Sequence, residues 1–154
     1  MKKLPIASSC NILLTDRSEK MIVVECNPIE KHIRYPDKNK NGEKFIISVN
    51  HFSSKEMWKH DASNRNVYYS ETRYQTAYNA LRNIDYVDGV EHAKAILSGK
   101  HGFMCQYNKE LNFDTIWSSI FDISNNKIYI AEGNPQRTKY IKDNRLSKQI
   151  KNNI

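Results

Sequence analysis

Asn11-Ile12-Leu13-Leu14-Thr15, the polar stretch Asp16 to Lys20, and then Met21-Ile22-Val23-Val24-Glu25-Cys26 decide the fold class. Each apolar run is strand-sized and too short for a stable helix. The second is rich in β-branched residues, which pack well on a pleated surface. The polar break between them holds turn-forming residues, so the segment predicts a hairpin of two buried strands. Asn27-Pro28 ends the second strand, because proline cannot donate to a ladder. His32 to Tyr35 reads as a third, short strand. Pro36 to Gly42 contains an Asn41-Gly42 turn signal. Lys44 to Val49 then reads as a fourth strand, ending at Asn50-His51-Phe52.

Helical spacing follows. Ser53 or Ser54 is placed to cap a short helix running to Lys59. Ser70 is a good N-cap for a helix over about 71–83, on which Tyr74, Ala77, Tyr78 and Leu81 share one face. Val90, Ala93, Ile96 and Leu97 mark a second helix over about 89–98, closed by Gly99. The pattern then returns to β. Asp114 to Ile123 alternates, with Ile116, Ser118, Ile120 and Asp122 on one face and Trp117, Ser119 and Phe121 on the other. Trp117 is expected in the core. Asn125-Asn126 suits a two-residue turn with positive φ, and Lys127 to Ala131 is the returning strand. Strands, then helices, then strands indicate an α+β fold with largely antiparallel sheets.

The chain has 154 residues, enough for one ordinary domain. Hydrophobic residues are 39% and aromatic residues 10%, too many for a typical disordered chain. No stretch approaches the roughly 18 apolar residues of a membrane span. The start, Met1-Lys2-Lys3-Leu4-Pro5, has no apolar run behind its charges and does not read as an export signal. The net charge is +7, and residues from Arg137 onward hold six of the basic side chains against one acid, Asp143. Such a tail can bind nucleic acid by counterion release, or it can be a solvated terminal helix or frayed end. Aromatics are not interleaved with Lys and Arg across a folded face, which argues against nucleic acid as the partner.

Cys10, Cys26 and Cys105 are odd in number and far apart, which fits reduced thiols in a cytoplasm. The sequence has no Gly-rich phosphate loop, CxxC, HExxH or GxSxG. His51 and His60 are too loosely placed to read as metal ligands. Taken singly, Asn50 reads as a strand-ending turn residue and Arg73 as a first-turn helix residue. The charge of Arg73 is on the unfavourable side of the helix dipole.

Four segments in order carry a resemblance. They are Ser8 to Asp16 with Val23 to Pro28; Val49-Asn50-His51-Phe52; Ser70-Glu71-Thr72-Arg73-Tyr74; and Asp114 to Asp122 leading into Ala131-Glu132-Gly133-Asn134-Pro135. Gly102 to Tyr107 precedes the last hairpin. From about Leu4 to Leu146 the chain resembles the C-terminal half of the linear-amide hydrolases with an N-terminal nucleophile. The similarity is greatest to the acyl-coenzyme A:6-aminopenicillanic-acid acyltransferase-like branch. Choloylglycine hydrolases and penicillin V acylases are more distant.

The resemblance implies a four-layer αββα sandwich and attack on an amide by a cysteine thiolate at a self-cleaved N-terminus, with the α-amine as base. On the absence of phosphate-loop and metal-binding motifs, no cofactor and no metal are expected. The resemblance makes Asn50 the oxyanion donor and Arg73 the cation beside the nucleophile. It also places the nucleophile upstream of the first hairpin, on a segment residues 1–154 do not hold. Cys10 falls at the start of a structural strand and is expected to be a buried structural thiol, as are Cys26 and Cys105.

The expectation is therefore a partial sandwich, either a fragment or one subunit of a split enzyme: residues 1–146 as the C-terminal portion of the domain, and 147–154 as a basic tail. Alone it would expose apolar sheet faces and lack amidase activity. Its partners would be a complementary N-terminal half carrying the nucleophile and a small-molecule amide or thioester. Two alternatives are a small basic non-enzymatic protein binding nucleic acid or a protein through its tail, and a thiol enzyme using Cys10.

Overall fold

The two opening runs pair as a hairpin: β1 (Cys10–Thr15) and β2 (Met21–Cys26) are antiparallel, with Asn11 opposite Glu25 and Ile12 opposite Val24. This comes from a computed structural model, which describes residues 5–61, 66–84 and 88–145. The third strand, β3 (Lys31–Arg34), adds to the far side of β2, giving the order β1-β2-β3. Val23, Val24, Glu25 and Cys26 of central β2 are all buried. β1 departs from expectation: Leu13 and Leu14 are exposed, because this strand forms a sheet edge among the described residues.

The Asn41-Gly42 turn forms, with Gly42 at φ 82°. It closes a small hairpin of β4 (Asp37–Lys38) and β5 (Lys44–Phe45). The strand expected over 44–49 thus stops at Phe45. A 3-10 helix spans Lys55–His60, preceded by Ser54. Ser54 makes no side-chain cap, because its hydroxyl is used elsewhere, as described below.

Helix α1 (Ser70–Arg82) matches the expected span, but Ser70 is its first residue and not its cap. Asn66 does the capping: its Oδ1 accepts from the backbone N–H groups of Glu71 (3.0 Å) and Thr72 (3.3 Å). Tyr68 and Tyr69 lead into the helix with φ of 54° and 56°, a strained conformation for bulky residues. Tyr74 and Tyr78 stack on α1, and Tyr78 meets Phe45 edge-on at 5.8 Å. Ser70, Thr76, Ala77 and Ala80 are its buried positions.

Contacts divide the chain into two compact units, Met1–Asp85 and Tyr86–Ile154. The second begins with α2 (Gly89–Leu97), capped by Asp88, which accepts from the N–H groups of Val90 and Glu91. Gly99 follows at φ 79°, as a helix C-terminus favours. β6 (Tyr107–Asn108) pairs with β7 (Phe113–Asp114), and β8 (Ser118–Asp122) pairs with β9 (Lys127–Ala131).

The strand expected over 114–123 is broken at 115–117, and Trp117 is 61% exposed instead of lying in the core. The turn of this hairpin runs from Ile123 to Asn126, and only Asn126 of the two asparagines has positive φ. β10 (Ile141–Asp143) adds to β9, giving the order β10-β9-β8. Within the described part of the basic stretch, β10 and an Arg137–Asp114 ion pair stand where a solvated helix or frayed end was expected, and the rest of that stretch lies outside the described residues. The basic tail at 147–154 lies outside the described residues.

The class is α+β, and every strand pairing among the described residues is antiparallel. No described helix is long and apolar enough to cross a membrane.

Candidate active site

Asn50 sits on a segment held by side chains rather than by a sheet ladder. This is why the predicted fourth strand ends early. Arg34 donates to the carbonyl of Ile47 at 2.6 Å. Asn11 of β1 uses both hydrogens of its amide nitrogen, donating to the carbonyls of Val49 (2.7 Å) and His51 (3.0 Å). Asp61 accepts from the Phe52 N–H at 2.9 Å. Backbone groups either side of Asn50 are thereby satisfied without a neighbouring strand.

Ser70 completes the clamp from α1. Its Oγ accepts from the N–H groups of Asn50 (3.0 Å) and His51 (3.2 Å), and lies 2.9 Å from His51 Nδ1. A hydroxyl has two lone pairs and one proton. With N–H donors on its lone-pair side, the hydroxyl proton is placed to reach Nδ1. Ser70 is 1% exposed, so water cannot replace it. Ser70→Ala is expected to cost about 2–4 kcal/mol of unfolding free energy in urea melts, because buried donors lose their acceptor.

Arg73 lies one turn beyond Ser70 and reaches the same residue. Its terminal guanidinium nitrogen is 2.5 Å from Asn50 Oδ1. A guanidinium can only donate, so it selects the carbonyl oxygen of the amide. The Asn50 NH₂ is left pointing away from Arg73, as a fixed donor. Asn50 itself is exposed, so that donor is accessible. Burial lowers the Arg73 pKa, but from so far above neutrality that the group stays charged. The structure thus brings the two sequence-predicted site residues together.

The floor beneath them is an ion pair between Glu25, for which the sequence suggested a nearby cation as partner and no catalytic role, and Arg34. Glu25 is fully buried; its Oε1 is 2.7 Å from Arg34 Nε and accepts from the Ser53 N–H at 2.7 Å. Its Oε2 accepts from the Ser54 N–H at 3.0 Å and from the Ser54 hydroxyl. Burial works to raise the Glu25 pKa, but Ser54, Ser53 and Arg34 outweigh it and hold the carboxyl below its ordinary value. A charged residue inside the apolar run at 21–26 was the available signal, since a carboxylate is rarely buried unpaired. The Ser70-x-x-Arg73 spacing, one helical turn, was the signal for Ser70.

A cavity of about 230 Å³ opens beside Asn50, bounded by Ser9, Cys10, Asn11, Asn50, Phe52, His60 and Asp61. Cys10 is exposed, against the expectation of a buried thiol; Cys26 and Cys105 are buried. His60 Nε2 lies 3.0 Å from Glu30, and no described cluster of His, Cys, Asp and Glu could hold a metal ion.

In the second unit, Asn134 joins two of the quoted motifs. Its amide donates to Asp114 (2.7 Å) and to the carbonyl of Gln106 (3.1 Å), and accepts from the Gln136 N–H.

A family model described as acyl-coenzyme A:6-aminopenicillanic acid acyl-transferase matches residues 1–137. No curated protein matches the chain.

Proposed function

The chain belongs to the acyl-coenzyme A:6-aminopenicillanic acid acyl-transferase family, and on that premise we propose that it supplies the oxyanion-binding part of an acyl-transfer site. The observation that carries the reading is the Arg73–Asn50 hydrogen bond, which leaves an accessible amide donor of fixed orientation. A thiolate attacks the carbonyl carbon of a linear amide or thioester. The carbonyl π electrons move to oxygen, and the Asn50 Nδ2–H donates to the oxyanion. Collapse expels a thiolate, or an amine that takes a proton from the nucleophile's α-ammonium group, and water or an amine then takes the acyl group from sulfur and releases the thiolate. The charge of Arg73 favours both the thiolate and the oxyanion.

The nucleophile in this reading is a cysteine on a complementary N-terminal half, which completes the αββα sandwich. Exposed Leu13, Leu14 and Ile33 on the β1-β2-β3 sheet are apolar surface such a half would cover. The test is turnover of linear amides and acyl thioesters by the chain, alone and mixed with a polypeptide bearing an N-terminal cysteine encoded beside it. No turnover alone and measurable turnover in the mixture are expected. Turnover by the chain alone that Cys10→Ser abolishes would make Cys10 the nucleophile instead.

A further inference from the structure

Cys10 and Cys26 are directly opposite residues of β1 and β2, and their sulfurs are 3.4 Å apart. Opposite residues in an antiparallel pair have Cα atoms about 4.5 or 5.5 Å apart, and both spacings fall within the range a disulfide spans. Closing the bond needs the sulfurs to approach by only about 1.4 Å. The two thiols differ in access: Cys10 is exposed, whereas Cys26 is 1% exposed and also lies 3.5 Å from the Cys10 carbonyl. The oxyanion reading above does not use either thiol.

We propose that Cys10 and Cys26 form a thiol–disulfide couple in which Cys10 takes the modification and Cys26 resolves it. The oxidant is a low-molecular-weight disulfide. The Cys10 thiolate attacks one of its sulfurs, forming a mixed disulfide and releasing one thiolate. Cys26 gives its proton to solvent and attacks the Cys10 sulfur, releasing the second thiolate and closing Cys10–Cys26. Two protein thiols are oxidised and one small disulfide is reduced to two thiols. Burial, with Cys10 beside it, pushes the Cys26 thiol up to about 11, which disfavours it as the first nucleophile. Closure draws β1 against β2 at the residue next to Asn11, which holds the carbonyls either side of Asn50.

The test is exposure of the folded chain to 2-hydroxyethyl disulfide, followed by intact mass and peptide mapping. A single adduct on the Cys10 peptide is expected first. It then gives way to a species two hydrogens lighter than the reduced chain, with Cys10 and Cys26 linked, and dithiothreitol restores the starting mass. In Cys26→Ala the Cys10 adduct should persist at least about tenfold longer, and in Cys10→Ser adduct formation should slow at least about tenfold. Cys105 is the internal control, since it is buried with its sulfur 3.0 Å from the Leu97 carbonyl. A first adduct on Cys26 or Cys105 overturns the proposal. So does a wild-type Cys10 adduct that never yields the linked peptide, a result that holds even if Cys26→Ala does not fold.

Discussion

Asn50→Ala is expected to lower kcat of the assembled acyl-transfer site by about 10²–10³-fold, the usual effect of removing one oxyanion donor. The loss should fall on kcat and kcat/KM together, because the oxyanion exists in the transition state and not in the bound substrate. Stability should change little. Asn50 is exposed, and its backbone N–H keeps Ser70 as acceptor whatever its side chain. Asn50→Asp separates the donor from the contact with Arg73. A carboxylate still accepts from the guanidinium but offers no donor and repels the oxyanion, so its turnover should be at least as low as that of Asn50→Ala.

Arg73→Ala should give an intermediate loss, since the amide remains but can rotate. Equal turnover by wild type and Asn50→Ala, with both folded by circular dichroism, would remove Asn50 from the mechanism.

The second large effect is on stability. Glu25→Ala is expected to cost about 3–5 kcal/mol, because it leaves Arg34 without its buried counter-charge and frees the N–H groups of Ser53 and Ser54. That is a large share of the roughly 5–15 kcal/mol that holds a domain folded, so the variant should be partly unfolded at ambient temperature. Glu25→Gln keeps the shape and one acceptor oxygen and should lose less.

The pH dependence has a definite sign. The folded Glu25 carboxyl titrates below its ordinary 4.5. Its contribution is therefore complete above about that value and is lost as pH falls through the lower, folded one. Urea midpoints measured downward from neutral pH should show wild type losing an acid-sensitive component that Glu25→Gln lacks. Parallel curves for the two would show that Glu25 contributes no charge-dependent stability.

Some of this site was legible in the sequence and some was not. The resemblance pointed to Asn50 and Arg73, and the structure places them in hydrogen-bonding contact. Asn11, Glu25, Arg34 and Ser70 were passed over as site residues because each meets its partner across a long stretch of chain. Asn11 reaches residues 49 and 51, Glu25 reaches 53 and 54, and Ser70 reaches back to 50 and 51. Local spacing made Ser70 an N-cap, which is the ordinary use of serine there. The fold spends its hydroxyl on Asn50 and His51, and Asn66 caps the helix instead.

The strand expected over 44–49 shows the same limit. Its apolar, β-branched residues were real signals. An extended segment becomes a strand only when another backbone supplies the matching donors and acceptors. Side chains of Arg34, Asn11, Ser70, Asp61 and Glu25 supply them over 47–54.

What the sequence determined by itself was local. The β1–β2 hairpin, the spans of α1 and α2, the Gly42 turn and the β8–β9 pairing follow from periodicity and turn chemistry within short windows. The α+β class follows from their order. What only the tertiary structure decided was which way polar groups point. Arg73 turns the Asn50 amide, Ser70 meets the His51 ring nitrogen, and the exposed edge strand leaves Cys10 accessible opposite a buried Cys26. Hydrogen bonds between distant residues are short-ranged and directional. They come into being when the chain has closed, and no local pattern encodes them.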